Sequence, residues 1–570
     1  MRRAALIVAV SLVASVGVLP AAPAGAAGSF RFFGSGFGHG LGMSQWGAYG
    51  LAKDGWAHKK ILTHFYSGTA VKQDPSPPRN LRIGLTQGES KVRLTAEAGS
   101  VTIRVEDPKT GTEIGTIPTG KTWTVRVADD EYRVLNSAGR RVGGKDWGGT
   151  ARDLFVTYDG ARVRSAAAGA TYNRGFIEFN LYSCAGSCAM RMILVIAPES
   201  YLLGLGEVPS SWPMAALRAQ AVAARSYALY KVESGQHRAG CNCGLYDSSL
   251  DQVYIGWAKE GGSQGDRWVR AVEQTGGQIV AFSGDVIPAF YTSSDGGHTE
   301  NNENVWGGTP LPYLRGVCDP GDYTSANPSA VWKVSYSAGS VTNRLAGYTG
   351  NIGTVSGFTD FDRGVSGRII TVRVEGNNGS DVISGAQFRA GLGLKDDRVW
   401  VNRNRNVTGR IRATYDAASC APGLPTSPEV DVPGGSRQIF ETGAIYRNTG
   451  DVTVWLKGAV FDEYTAVGGV GGRLGLPTSK VVTVTGVTGC AAGCSRTSFE
   501  RGRIYWKSGV GAEALWGRVL DTFLAHNGVD GSLGFPTSRV QVADNGSTSA
   551  TFEHGTIDCP PPDGGSCTIS

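Results

Sequence analysis

Val101-Thr102-Ile103-Arg104-Val105 and Trp123-Thr124-Val125-Arg126-Val127 alternate apolar and polar side chains residue by residue. A period of two marks a half-buried strand, because successive Cβ atoms point to opposite faces of a sheet. The alternation recurs between turns such as Pro108-Lys109-Thr110-Gly111 and predicts a β-rich segment over residues 80–196. At Pro198 the character changes. Pro198-Glu199-Ser200-Tyr201-Leu202 places proline in the first turn of a short helix, with an acid near its positive end. A longer helix is expected from Trp212 or Pro213 to Val232, with Leu217, Ala221, Ala224 and Ala228 on one face. Gln220 and Arg225 are expected on its surface or in packing. Residues 198–232 then form a helical core against strands, and the fold class is α+β.

The chain has 570 residues, more than one ordinary core, so two to four domains are expected. Its 83 glycines and many Val/Thr-rich runs favour strands and turns over long helices. A helix is also expected over 57–66, and Asp74-Pro75-Ser76-Pro77-Pro78 reads as a linker. The net charge of +6 is too small for a nucleic-acid partner, and no basic stripe carries interleaved aromatics.

Met1-Arg2-Arg3, an apolar run from Ala4 to Leu19 and Ala24-Gly25-Ala26 form the three parts of a secretory signal peptide, residues 1–26. The apolar run is about 16 residues, short of the roughly 20 that span a bilayer. No transmembrane segment is expected after its removal, and the mature chain is expected outside the cell. There, ten cysteines read as disulfides. Cys184/Cys188, Cys241/Cys243, Cys490/Cys494 and Cys559/Cys567 are close pairs, leaving Cys318 and Cys420 to close a long loop. A metal site at His237, Cys241 and Cys243 competes with the second of these pairs, although a fourth ligand is not evident nearby.

Residues 421–434, rich in Pro, Gly and Ser, read as an interdomain linker. Beyond it Phe440-Glu441-Thr442-Gly443-Ala444-Ile445-Tyr446 recurs as Phe499-Glu500-Arg501-Gly502-Arg503-Ile504-Tyr505, and again as Phe552-Glu553-His554-Gly555-Thr556-Ile557. Leu474-Gly475-Leu476-Pro477-Thr478-Ser479 recurs at the same offset as Leu533-Gly534-Phe535-Pro536-Thr537-Ser538. Two separate phrases at one offset define a repeat module, residues 436–558, expected to be β-rich. For any single aromatic in it, Phe440, Tyr446, Trp455, Phe499, Tyr505 or Trp516, a core position is the better expectation.

Two segments carry a family resemblance. One is Gly36-Phe37-Gly38-His39-Gly40-Leu41-Gly42-Met43-Ser44-Gln45-Trp46-Gly47-Ala48, followed by Ile61 to Thr69. The other runs from Glu207-Val208-Pro209-Ser210-Ser211-Trp212-Pro213 through Leu217-Arg218-Ala219-Gln220-Ala221-Val222-Ala223-Ala224-Arg225 to Ala228. Both resemble the SpoIID/LytB family (stage II sporulation protein D, amidase enhancer domain). Asp251-Gln252-Val253-Tyr254, Ser293 to Asn301 and Asn304-Val305-Trp306-Gly307 agree in order, so the resemblance covers residues 30–403. In most family members the glycine-histidine-glycine motif closes the domain; here it opens it, as in a circular permutation, which close termini allow. His39 is therefore expected beside the Glu207 region.

The resemblance implies a peptidoglycan lytic transglycosylase that cuts glycan strands with Glu207 as acid and base. Glycosidic cleavage needs a proton on the leaving oxygen while an oxocarbenium-like centre develops. One carboxyl suffices when the muramoyl C6 hydroxyl attacks its own anomeric carbon and leaves a 1,6-anhydro end. Burial would have to raise the pKa of Glu207. Taken alone, Glu207 reads as an acid at a helix start. His39, Ser44, Gln45, Ser293, Ser294, His298 and Glu300 are candidate substrate contacts, His39 also a turn residue or an orienter of Glu207. A serine triad is disfavoured because the nucleophile-elbow motif is absent. No cofactor is expected. Some family members bind zinc near the segment matching Asp251-Gln252, but here aspartate stands where cysteine is usual. The carboxyl-end repeats resemble LGFP repeats of exported actinobacterial proteins, which implies attachment to glycan strands or other wall polymers. The alternative functions are a non-catalytic wall-binding protein, an amidase enhancer, or an adhesin built on the repeats.

Overall fold

In Val101–Val105 every second residue is buried, and Trp123 and Val125 point inward from Thr122–Ala128. These strands belong to two antiparallel sheets that share one core. The first has seven strands, in the order Leu245–Tyr246, Leu81–Glu89, Ala189–Ile196, Phe176–Tyr182, Leu154–Thr157, Val101–Val105 and Thr112–Ile117. Only the Leu245–Tyr246 edge runs parallel to its neighbour. The second has five: Ala170–Tyr172, Arg162–Ser165, Lys91–Ala98, Thr122–Ala128 and Glu131–Leu135. This computed structural model describes residues 28–74, 80–184, 187–487, 490–491 and 493–570. The expected signal peptide, and the expected proline linker beyond Asp74, lie outside them. Among the described residues no helix is long and apolar enough to cross a membrane.

The long helix is Met214–Glu233, preceded by the short helix Pro198–Leu203. Its alanines are buried on almost every side, against Gln45–Lys53, His58–Phe65, Gly265–Glu273 and the strand Gln278–Phe282. Small side chains let these neighbours approach from several directions. Arg225 is packed inside, its guanidinium paired with Glu199 at 2.6 and 2.7 Å and donating to the Gln278 carbonyl.

The strand Phe30–Gly34 is central in a three-stranded sheet, between Trp332–Tyr336 and Val399–Val401. The start of the described chain thus pairs with the end of the region expected to form one domain, Phe32 opposite Val401 and Gly34 opposite Val399. This pairing delivers the glycine-rich loop after Gly34 to the centre of the molecule, where Phe37 bridges to Ser294.

The repeat module contains three four-stranded antiparallel sheets, with helices Gly458–Ala466 and Gly517–Ala525 between them. Residues 421–434 are not a linker. Val430–Val432 is the edge strand of the first sheet, Thr426 donates to the Ile439 carbonyl and Pro425 bridges to Phe440. Pro477 bridges to Phe499 and Pro536 to Phe552 in the same way, so Gly423-Leu424-Pro425-Thr426-Ser427 is the first copy of the repeated turn. Pro, Gly and Ser looked like linker composition, whereas the tertiary pairing makes them a packed turn.

The repeated turn has a physical logic. Glu441, Glu500 and Glu553 each accept a main-chain N–H from it, that of Leu424 (3.0 Å), Leu476 (3.2 Å) and Phe535 (2.9 Å). Gly423, Gly475 and Gly534 adopt φ of 80°, 74° and 68°, and a Cβ there would lie within 2.7 Å of the glutamate carboxylate. Glycine is required both by conformation and by space. Phe440, Tyr446, Phe499 and Tyr505 are core residues, while Trp455 and Trp516 stay partly exposed.

Candidate functional site

Glu207 lies in the loop between the helices Pro198–Leu203 and Met214–Glu233, seven residues before the second, so it does not cap that helix. The loop is pinned to residues 253–255: Gly206 donates to the Val253 carbonyl and Leu205 bridges to Tyr254. This clamp brings the Val253 N–H to Glu207 Oε1 at 2.6 Å. Gln45 Nε2 donates to Oε2 at 3.3 Å and to Gln220 Oε1 at 3.4 Å. The Tyr291 hydroxyl, which accepts from Gln252 Nε2 at 3.0 Å, favours the charged form of the same carboxyl. Gln252 is in turn fixed by Tyr201 and by the Ala224 carbonyl. Burial outweighs these donors and raises the Glu207 pKa above its ordinary value. Among the described residues no cation pairs with it; Lys259 contributes only a longer-range charge and donates to the Val208 carbonyl.

Glu207 opens on a cleft of about 510 Å³, lined also by His39, Gln45, Tyr291, Ser293 and Arg389. A second cavity of about 450 Å³ adjoins it, sharing His39, Trp306 and Arg389. Phe37 (47 % exposed), Trp306 (53 %) and Leu250 (73 %) present apolar faces along the cleft. Together the cavities make an open groove with aromatic walls and three carboxyls, Glu207 and Asp251 in the first cavity and Asp397 in the second.

Of the expected contacts, His39, Gln45 and Ser293 line this cleft with Glu207. His39 Nδ1 accepts from the Leu41 N–H at 3.0 Å. Burial, then the charges of Arg368 and Arg389, push its pKa down to about 4, so the ring is neutral at pH 7. His39 and Tyr291 line the same cleft as Glu207.

Ser44, Ser294, His298 and Glu300 lie behind the cleft wall rather than on it. Ser44 is fully buried; its hydroxyl caps the helix Gln45–Lys53 through Gly47 N and donates to Asp322. Ser294 donates to the other oxygen of Asp322. His298 Nδ1 bonds the Thr299 carbonyl. Glu300 accepts from the main-chain N–H groups of Asn301, Val365 and Ser366 and from Asn304 and the Ser366 hydroxyl. A loop rich in polar residues needs buried partners for its own backbone, and these side chains supply them. Tyr291, Trp306 and Arg389 line the cleft instead. The Val253 contact is made by the main chain, which no side-chain pattern announces.

Asp251, the other carboxylate lining the cleft, is fully buried and committed. Arg238 forms an ion pair with it, and Tyr227 and the Tyr246 N–H donate to it at 2.8 and 2.9 Å. The Arg238 loop is closed by the Cys241–Cys243 disulfide, and His237 bonds Asn242. The competing metal site there is not formed: the two sulfurs are bonded to each other. The other expected pairs, Cys184–Cys188, Cys318–Cys420, Cys490–Cys494 and Cys559–Cys567, are also disulfides.

Asp295, Asp319 and Asp322 bring carboxylate oxygens within 4.8 Å of one another, a donor set of the hard-cation type. Asp322 already accepts five donors, from Ser44, Ser294, Asn327 and the N–H groups of Asp295 and Gly296. Asp295 and Asp319 each leave one buried oxygen without a partner, and burial raises both pKa values, which favours protonated acids.

These shifts predict a pH profile of stability. Burial pushes Asp295 and Asp397 up to about 8, so the folded state holds protons that an unfolded chain releases near pH 4. Their contribution is complete below pH 4 and is lost as pH rises toward about 8. His39 and His298 are pushed down to about 4, and theirs is lost as pH falls from about 6.5 to 4. The two sets oppose one another below about 6.5, and above it the carboxyls dominate until Lys259, pushed down to about 8 by burial, begins to oppose them. The melting temperature is expected to fall steadily from about pH 6.5 to 8, at up to about 1.4 kcal/mol per pH unit for each carboxyl. Calorimetric scans across that range check this; a rising melting temperature would contradict it.

Residues 189–282 match the SpoIID family, described as stage II sporulation protein, and residues 423–472 and 474–531 match the LGFP repeat. An uncharacterised protein of Brachyspira hyodysenteriae is 31% identical over 196 residues, 34% of this chain and 50% of that one. The amidase enhancer of Bacillus subtilis is 34% identical over 131 residues, 23% of this chain and 16% of the relative. The stage II sporulation protein D of the same organism is 31% identical over 137 residues, 22% of this chain and 40% of the relative. The chain thus spans half or less of the length of these three relatives. These matches support a cell-wall-related role for the chain. More particularly, it carries a SpoIID domain followed by LGFP repeats.

Proposed function

We propose that this chain is a secreted peptidoglycan lytic transglycosylase, held at the wall by its repeats. The observation that carries the reading is the setting of Glu207: of the two carboxyls lining its cleft it is the one with a raised pKa, while Asp251 is locked in an ion pair, and Asp397 of the adjoining cavity lies 3.5 Å from Arg368. A glycosidase that uses water needs two free carboxyls across the scissile bond. A single acid suits an intramolecular route. With the Val253 N–H on Oε1, Glu207 delivers its proton from Oε2 to the glycosidic oxygen, and the bond to the muramoyl anomeric carbon breaks. The Tyr291 hydroxyl and Gln45 amide stabilise the carboxylate left behind. That carboxylate then takes the proton of the C6 hydroxyl as its oxygen closes on the anomeric carbon, giving a 1,6-anhydro end and regenerating the acid. No water is consumed.

Export through residues 1–26 is part of this proposal, and five disulfides suit an oxidising compartment. The test is incubation of purified protein with peptide-free glycan strands, followed by mass spectrometry of the products. Anhydro-muramoyl ends are expected. Products carrying an added water would replace the mechanism with hydrolysis. No products across several pH values would leave the non-catalytic role that the name of one relative, the amidase enhancer, suggests.

A further inference from the structure

Where the SpoIID part meets the first repeat, a cavity of about 380 Å³ is lined by Arg363, Arg403 and Arg405, with Phe361, Trp400 and the turn Leu424-Pro425-Thr426. The junction is packed rather than hinged. Val407, Ile411 and Tyr415 share a core with Phe440 and Ile445, and Gln438 donates to the Arg405 carbonyl. The cavity is therefore a feature of both parts at once.

Its three arginines face a single lining carboxylate, so the charge is only partly compensated. Among the described residues, none of the three arginines has a carboxylate within ion-pair distance. Arg363 donates to the carbonyls of Gly367 (2.6 Å) and Val399 (2.9 Å) and lies 3.9 Å from the Trp400 ring centre. Arg405 approaches the same ring at 5.7 Å. Burial and the charges of Arg405 and Arg398 push Arg363 down to about 9, and burial and Arg403 lower Arg405. The one lining carboxylate, Glu441, is occupied by the Leu424 N–H. The indole N–H of Trp400, which is 5 % exposed, has no partner.

Gathering cations with too few counter-charges costs free energy that an anion would recover. Guanidinium forks match carboxylate and phosphate oxygens, and an aromatic wall suits the apolar face of a sugar ring. We infer that this junction cavity binds an oxyanion, phosphate or carboxylate, borne on a wall polysaccharide. It rests on the wall-binding part of the proposed function and not on Glu207. With an anionic polymer seated there, the repeats and the catalytic groove are held in one orientation to the same wall.

The test uses the full chain without its leader. Calorimetric titration measures binding of poly(glycerol phosphate), of peptide-free glycan strands with their muramic carboxylates, and of uncharged chitooligosaccharide. Arg403→Gln/Arg405→Gln removes two charges whose side chains make no hydrogen bond that the fold depends on, and Arg363→Gln is a separate variant. Affinity for at least one anionic probe is expected to fall about tenfold in the double variant, with its salt dependence reduced, and to be unchanged for the neutral one. The probe that loses affinity identifies the source of the oxyanion. Anionic probes bound equally by wild type and double variant, or no more tightly than the neutral oligosaccharide, would overturn the inference. Binding of poly(glycerol phosphate) and of the neutral oligosaccharide is read without any cleavage, so a failure here and a failure of the catalytic reading are separable.

Discussion

Glu207→Gln is expected to lower kcat on peptide-free glycan strands by about a thousandfold, the usual scale for losing a general acid. The amide oxygen still accepts the Val253 N–H, and the side chain keeps its volume, so equilibrium binding of the strands should change little. Loss of turnover with retained binding is the signature of an interaction made only in the transition state. A variant as active as wild type would end the assignment. The wild-type rate should also decline as pH rises through the elevated pKa of Glu207, because the acid must carry its proton to begin the reaction. Tyr291→Phe removes a donor that favours the carboxylate, so this alkaline limb should move to higher pH. A purely structural role for Tyr291 would lower activity and leave the limb in place.

The second large effect concerns stability. Cys318→Ser/Cys420→Ser opens a loop of 102 residues, for which chain entropy predicts a loss approaching about 4.7 kcal/mol. The disulfide ties the segment that begins the first repeat to Cys318, whose carbonyl accepts from His64 and which bridges to His298 behind the groove. Thermal unfolding under oxidising conditions should shift down by several degrees. Opening Cys490–Cys494, which spans four residues, should cost much less. A change below about 1 kcal/mol for the long loop would mean that packing alone holds the junction.

Local pattern went far in this chain. Alternation over Val101–Val105, the alanine-rich run of Met214–Glu233 and the twofold recurrence of the LGFP phrase are short-range signals, written in the spacing of side chains along one element. Spacing alone could not say that Pro422-Gly423-Leu424-Pro425 is a packed turn, because its partner is the glutamate of a later hairpin. Nor could it sort the polar residues of the site. Gln45 reaches Glu207 across 162 residues, and Ser44, its neighbour, turns away to Asp322 across 278.

By itself the sequence determined the α+β class, the repeat, the cysteine pairs as candidates and the glutamate to ask about. Only the tertiary structure decided which carboxyl stays unpaired on the groove and which polar groups are spent on satisfying buried backbone. The reason is physical: periodicity is a property of neighbours along the chain. Desolvation and hydrogen-bond satisfaction belong to groups that meet only once the chain has closed on itself.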